Sequence, residues 1–133
     1  MADKQYFERV NAYTWELPKW FDARMQVPAR LYCNEQIFDL AFRDKSIQQL
    51  INVAMLPGIV KYAMAMPDVH QGYGFPIGGV AAFRYDGGII SPGGVGYDIN
   101  CGVRMLASTV RHEELSPYLE ELLTLLYQNC PSG

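Results

Sequence analysis

The 133-residue chain has only two histidines and three cysteines, Cys33, Cys101 and Cys130. No two cysteines form a CxxC pair, and an odd set of three does not make a disulfide framework. That scarcity predicts a reducing, cytoplasmic setting. With His70 and His112 alone, no Ser-His-Asp or Cys-His constellation can be argued. Long apolar runs are missing as well. The most apolar window, "LINVAMLPGIVKYAMAM", is broken by Pro57, Gly58 and Lys61, which argues against a membrane span. The opening "MADKQYFERV" is polar and lacks the apolar core of a secretory signal. Positive charge is not in excess either: 11 Lys and Arg stand against 14 Asp and Glu, a net charge of −3. This removes the global signature of nucleic-acid binding but leaves room for a local basic patch.

What is present suits one soluble domain. Half of the residues are hydrophobic and 19% are charged, enough to bury a core at this length. No repeat or low-complexity segment interrupts the chain. Residues 1–24 mix aromatics with charge and have no clean period, so they stand apart from residues 25–133. "MQVPARLYC" reads as a short strand, with Pro28 at its edge or start. From Asp44, a candidate N-cap, Ile47, Leu50, Ile51, Ala54 and Met55 recur at helical spacing until Pro57 and Gly58 stop the helix. "IVKYAMAM" is expected as a buried strand ending at Pro67, "GGVAAFRY" as another, "GII" as a short third and "CGVRMLASTV" as a fourth. Residues 86–88 form a turn, and residues 91–94 a loop. Ser116 and Pro117 open a final helix carrying Leu119, Leu122, Leu123 and Leu126 on one side. The expected class is α+β, with short strands and at least two helices around glycine-rich loops. The closing "YQNCPSG" places turn formers after a helix and reads as a truncated protein.

The chemistry concentrates in two glycine-rich stretches. In "GGVGYDINCG", residues 93–102, Asp98 and Cys101 sit three positions apart. A carboxylate and a thiolate can both bind a divalent ion, and the glycines let the backbone wrap closely around a ligand. The alternative is a buried small thiol beside a turn-forming acid. Two donors do not close a site, so others must come from elsewhere. In "MPDVHQGYGFPIGG", Asp68 and His70 stand beside Gly72, Gly74, Gly78 and Gly79. They fit a metal ligand, an acid/base pair or a phosphate nest, and equally a turn whose side chains satisfy local backbone. The stretch is neither a Walker loop nor a dinucleotide fingerprint, since no helix plainly follows. His112 reads as solvated, Cys33 as core and Cys130 as loosely packed. Arg84 and Arg104 flank the glycine loops and could reach phosphate, though an arginine in such a place is more often a surface or ion-pair residue.

Taken in order, "MPDVHQGYGFPIGGVAAF" and "GGIISPGGVGYDINCGVRML" closely resemble the RtcB-type RNA ligases, the tRNA-splicing ligase family. The resemblance covers residues 25–133 and implies that they are an N-terminal, incomplete part of that catalytic fold. It implies joining of RNA 2′,3′-cyclic phosphate or 3′-phosphate ends to 5′-hydroxyl ends through a histidine–GMP intermediate. The implied cofactors are GTP and two manganese ions. The implied partners are RNA, as tRNA halves or broken ends, and an accessory activating protein. By the same resemblance, Asp98 and Cys101 are manganese ligands, with the Cys101 thiolate bridging the two ions. Asp68 is an active-site residue near them, and His70 a neighbour. The family's other ligands and its GMP-accepting histidine lie further downstream than residue 133. Two alternatives stand beside this reading: a non-catalytic metal-binding or interaction module on the same scaffold, and a metal-dependent phosphohydrolase. The second would require more histidines than this chain owns.

Overall fold

The computed structural model describes residues 3–96 and 105–130. The chain divides into two compact units, Met1–Ile99 and Asn100–Gly133. The first is built on a five-stranded sheet in the order β1 (Glu8–Asn11), β2 (Thr14–Leu17), β3 (Ala29–Tyr32), β4 (Ile59–His70) and β5 (Ile77–Phe83). Neighbours are antiparallel except β3 and β4, which run parallel. A parallel pair cannot be joined by a tight turn. Two helices fill the crossover, α1 (Glu35–Ala41) and α2 (Ser46–Ala54). This α+β architecture agrees with the class read from the sequence.

Alternation along the strands decides which face is covered. Leu17, Ala29, Leu31, Ala63 and Ala65 are all fully buried on one face. The register places Leu17 beside Ala29, and Ala29 and Leu31 beside Ala63 and Ala65. Small alanines at the centre let Ile47, Leu50, Ile51, Val53 and Ala54 of α2 enter the same core. Burying a leucine such as Leu31 or Leu50 stabilises the unit by about 1.5–3 kcal/mol. On the opposite face, Arg30 reaches Glu16 at 2.6 Å and lies 3.8 Å over the Tyr62 ring.

The sequence reading left two parts of this unit unassigned. Residues 1–24 supply the β1–β2 hairpin, turned by the Asn11 side chain, whose Oδ1 accepts from the Tyr13 N–H at 2.9 Å. Helix α1 begins where Asn34 Oδ1 accepts from the Ile37 N–H at 2.9 Å, a cap worth about 1 kcal/mol. It carries Phe38 into a cluster with Trp15 and Phe7, the Trp15 and Phe38 rings stacking at 4.1 Å.

Other expectations need correction. β4 does not end at Pro67 but continues to His70. Pairing with β5 shifts between Ala65 and His70, so the missing N–H of Pro67 falls within an irregular part of the ladder. A second irregularity lies between Val60 and Ala63, where Lys61 takes a left-handed φ of 62°. Residues 88–90 are not a strand, and the expected 91–94 loop contains a helical turn, α3 (Pro92–Val95). Residues 105–110 of the expected fourth strand are exposed and unpaired with any described strand; the rest of it lies outside the described residues.

In the second unit, α4 (His112–Leu115) leads through a 3₁₀ turn, Ser116–Tyr118, into α5 (Leu119–Asn129). The side-chain cap is not Ser116. Instead Glu114 Oε2 accepts from the Arg111 N–H at 3.0 Å, one turn earlier than expected. Among the described residues no helix is long and apolar enough to cross a membrane.

Candidate functional site

The described part of the candidate site is the end of β4 and the turn that follows it. Asp68 and His70 are both exposed. Their placement depends on a close backbone approach. Gly78, opposite them in β5, takes φ +72°, and a Cβ there would stand 2.5 Å from Asp68 Oδ1. The carboxylate therefore occupies space that any side chain at position 78 would claim. His70 Nδ1 lies 2.9 Å from the Asp68 carbonyl oxygen. A carbonyl can only accept, so Nδ1 carries the proton, and in the neutral ring Nε2 keeps the free lone pair. Of the functional and turn readings of Asp68 and His70, the histidine satisfies the local backbone while retaining one chemically available nitrogen.

Phe75 binds the two glycine-rich stretches together. Its ring is buried, and a Cβ on Gly79 would meet it at 2.6 Å, one on Gly94 at 3.1 Å. One glycine comes from each stretch, so the absence of a side chain at both positions lets the described start of the second stretch, residues 93–96, lie against the first. A groove of about 310 Å³ opens beside this contact, lined by Tyr73, Ile77, Pro92, Gly93 and Gly96. Asp98 and Cys101 follow closely in sequence, but both lie outside the described residues, as does Arg104.

Helix α2 anchors the other side of the turn. Asp44, expected as the N-cap, stands one residue before it, and Lys45 holds the cap position without a side-chain bond. Asp44 Oδ1 accepts from the Ser46 N–H at 2.7 Å and Oδ2 from the Gln71 N–H at 3.0 Å. Desolvation pulls the Asp44 pKa upward. Contacts with the Ser46 hydroxyl, the Ser46 and Gln71 N–H groups and the nearby His70 together outweigh it and hold the carboxyl below its ordinary value. Gln49 exchanges two hydrogen bonds with Gly72, donating to its carbonyl at 2.7 Å and accepting from its N–H at 2.9 Å. The sequence reading did not single out Gln49 or Phe75. The covered position of Gln49 is visible only in the fold, where its helical neighbours Ser46 and Val53 are buried beside it.

The remaining residues settle simply. Cys33 is buried, and burial pushes its thiol up to about 11. Cys130, His112 and Arg84 are exposed. Among the described residues, no three His, Cys, Asp or Glu side chains come together in a group that could hold a metal ion.

The first glycine stretch and the described start of the second, packed through Phe75, both fall within the part of the chain that known proteins match. Residues 49–133 match the model of the family described as tRNA-splicing ligase RtcB, and the chain belongs to that family. It is 54% identical over 133 residues to the tRNA-splicing ligase RtcB of Thermococcus kodakarensis, covering all of this chain and 27% of the relative. It is 50% identical over 127 residues to that of Aeropyrum pernix, covering 94% of the chain and 26% of the relative. With the Methanococcus maripaludis protein of the same name it shares 46% over 130 residues, 98% of the chain and 27% of the relative. The chain thus spans about a quarter of the length of these relatives.

Proposed function

We propose that a protein of the relatives' full length, carrying this chain, is a GTP- and manganese-dependent RNA ligase of the cytoplasm. Its substrates are an RNA ending in a 2′,3′-cyclic phosphate or 3′-phosphate and an RNA with a 5′-hydroxyl, joined through a histidine–GMP intermediate. tRNA halves and broken RNA ends are the substrate class, and an accessory activating protein is a further partner. The observation that carries this reading is the match of residues 49–133, both glycine stretches included, to the tRNA-splicing ligase family.

The donor chemistry of the chain fits two manganese ions. Carboxylate is a hard ligand suited to manganese, while a thiolate can bridge two ions and offset their charge. Asp98 and Cys101 would hold the metal, which when bound offers positive charge to the oxygens around phosphorus. The chain's other residues supply position. Asp68 presents an exposed carboxylate seated on Gly78, which on this reading belongs to the active site near the metals. His70, with Nδ1 engaged by the Asp68 carbonyl, directs its free nitrogen away from that bond and can carry a proton. The groove between the glycine stretches offers the Tyr73 ring and glycine backbone, surfaces that accept a nucleoside without a fixed charge requirement.

The direct test combines the full-length protein, manganese, GTP and two labelled RNAs, one with a 2′,3′-cyclic phosphate and one with a 5′-hydroxyl. A ligated product that needs both GTP and manganese supports the reading. Joining that proceeds equally well with ATP alone, or after complete metal removal, contradicts it.

A further inference from the structure

We propose that Gln49 and Asp44 are positioning residues, which clamp the chain at Gln71 and Gly72 and so fix Asp68 and His70 for the reaction. This rests on the ligase reading above and deepens it, since neither residue belongs to the glycine stretches.

The first ground is the cost of burying an amide. Gln49 is only 8% exposed, on a helix whose covered face is otherwise almost wholly apolar. A buried amide with unmade hydrogen bonds is destabilising, so its partners define why it is tolerated. Both partners belong to one residue: the Gln49 amide pairs with the N–H and C=O of Gly72 as a neighbouring strand would. Only an amide side chain offers a donor and an acceptor in this arrangement. Glutamate at neutral pH loses the donor, and methionine loses both.

The second ground is that the preceding residue is held independently. Asp44 accepts from the Gln71 N–H, and the Gln71 side chain accepts in turn from the Lys45 N–H at 3.4 Å. Two successive backbone amides are thus tied to the start of one helix, directly after His70. On the other side Asp68 is seated against Gly78. The site segment is fixed at both ends, by β5 before the histidine and by α2 after it. Removing one tie leaves the fold intact but lets the segment drift, and a displacement of about 1 Å costs about a hundredfold in rate.

The test uses the full-length protein with Gln49→Met, Gln49→Glu and, as a control at a buried position of the same helix, Ile51→Val. Three quantities are read: the unfolding midpoint, kcat and KM in ligation, and amide hydrogen exchange over residues 68–74. Gln49→Met is expected to lower kcat by about tenfold or more with KM for GTP and RNA within about twofold. Exchange at Gly72 should rise most in Gln49→Met, which loses the acceptor of its N–H, and less in Gln49→Glu, which keeps it, while amides of β2 and β3 stay protected. Ile51→Val should lower the midpoint with kcat unchanged. The clamp is overturned if exchange at residues 71–72 is unaltered, or if Ile51→Val loses kcat in proportion to its midpoint. A wild-type protein that fails to ligate sinks the ligase reading instead, and the exchange result then judges the clamp alone.

Discussion

The Asp68 carboxylate rests on the bare Cα of Gly78, with Oδ1 2.5 Å from where a β-carbon would be. The position of this acid is therefore written into a residue ten places away that has no side chain. Gly78→Ala carries two penalties: a left-handed backbone for an L side chain, about 1–2 kcal/mol, and displacement of Asp68. Gly74 separates them. It has φ +86° with nothing within 4 Å of a built Cβ, so Gly74→Ala suffers the backbone penalty alone. In the full-length protein, Gly78→Ala should lose at least as much stability as Gly74→Ala and about tenfold more ligation activity. Equal activity in the two variants would remove the argument that Gly78 seats the carboxylate.

In the full-length protein, Cys101→Ala should abolish ligation without unfolding the chain, because on the proposed reading one thiolate would serve both ions. Asp98→Ala should weaken binding at a single ion. Manganese titration alongside circular dichroism decides between these outcomes. A folded Cys101→Ala protein with wild-type manganese stoichiometry would refute the assignment of the thiolate as a ligand.

The Asp44 tie has a definite pH sense. Its carboxyl lies below the ordinary value of 3.8 in the fold, so it contributes stability above that value. The contribution is lost as pH falls through the ordinary value and then the lowered one. At neutral pH the anchor is intact. The expected measurement is the unfolding midpoint at about pH 6 and about pH 3. Asp44→Asn should reduce the difference between the two, only modestly because Asp44 is solvent-exposed and screened. An unchanged difference would show that this carboxylate is not part of the acid response.

How much could be read beforehand follows physical lines. Helix α2 was legible because Ile47, Leu50, Ile51 and Ala54 repeat at helical period, and Asp44 was legible as the acid before it. β4 and β5 were visible as apolar runs between turn formers. β1 and β2 were not, because strands of four residues such as "ERVN" are too short to display alternation. Nor could the sequence tell that β3 and β4 lie side by side, a pairing made by core burial across the α1–α2 crossover. Of the site, Asp68 and His70 announced themselves by residue type. Gln49 did not, since a glutamine in a helix ordinarily faces water and only the fold gives it Gly72 as a partner.

Thiol reactivity offers a check on the core independent of any activity. Cys33 is buried under the sheet end with its thiol pushed up to about 11, whereas Cys130 is exposed. Only the thiolate attacks an alkylating reagent. At about pH 8, iodoacetamide should modify Cys130 rapidly and Cys33 only after denaturation. Peptide mapping that finds Cys33 labelled as fast as Cys130 in the native chain would contradict its place in the core.

Residues 1–133 by themselves are expected neither to take up GMP nor to ligate RNA. The two histidines of this stretch, His70 and His112, are both exposed, and the first has Nδ1 engaged by the Asp68 carbonyl. Asp98 and Cys101 supply two donors, fewer than two ions require, so any metal retained should be weakly held with water completing its shell. Apolar side chains on α5, Leu123 and Leu126 among them, stand exposed, which favours self-association of the isolated piece. Incubation with labelled GTP and manganese, followed by denaturing electrophoresis, gives the answer directly. Stoichiometric label on a histidine of this stretch would mean that the nucleophile lies here, and the proposed division of the site would have to be abandoned.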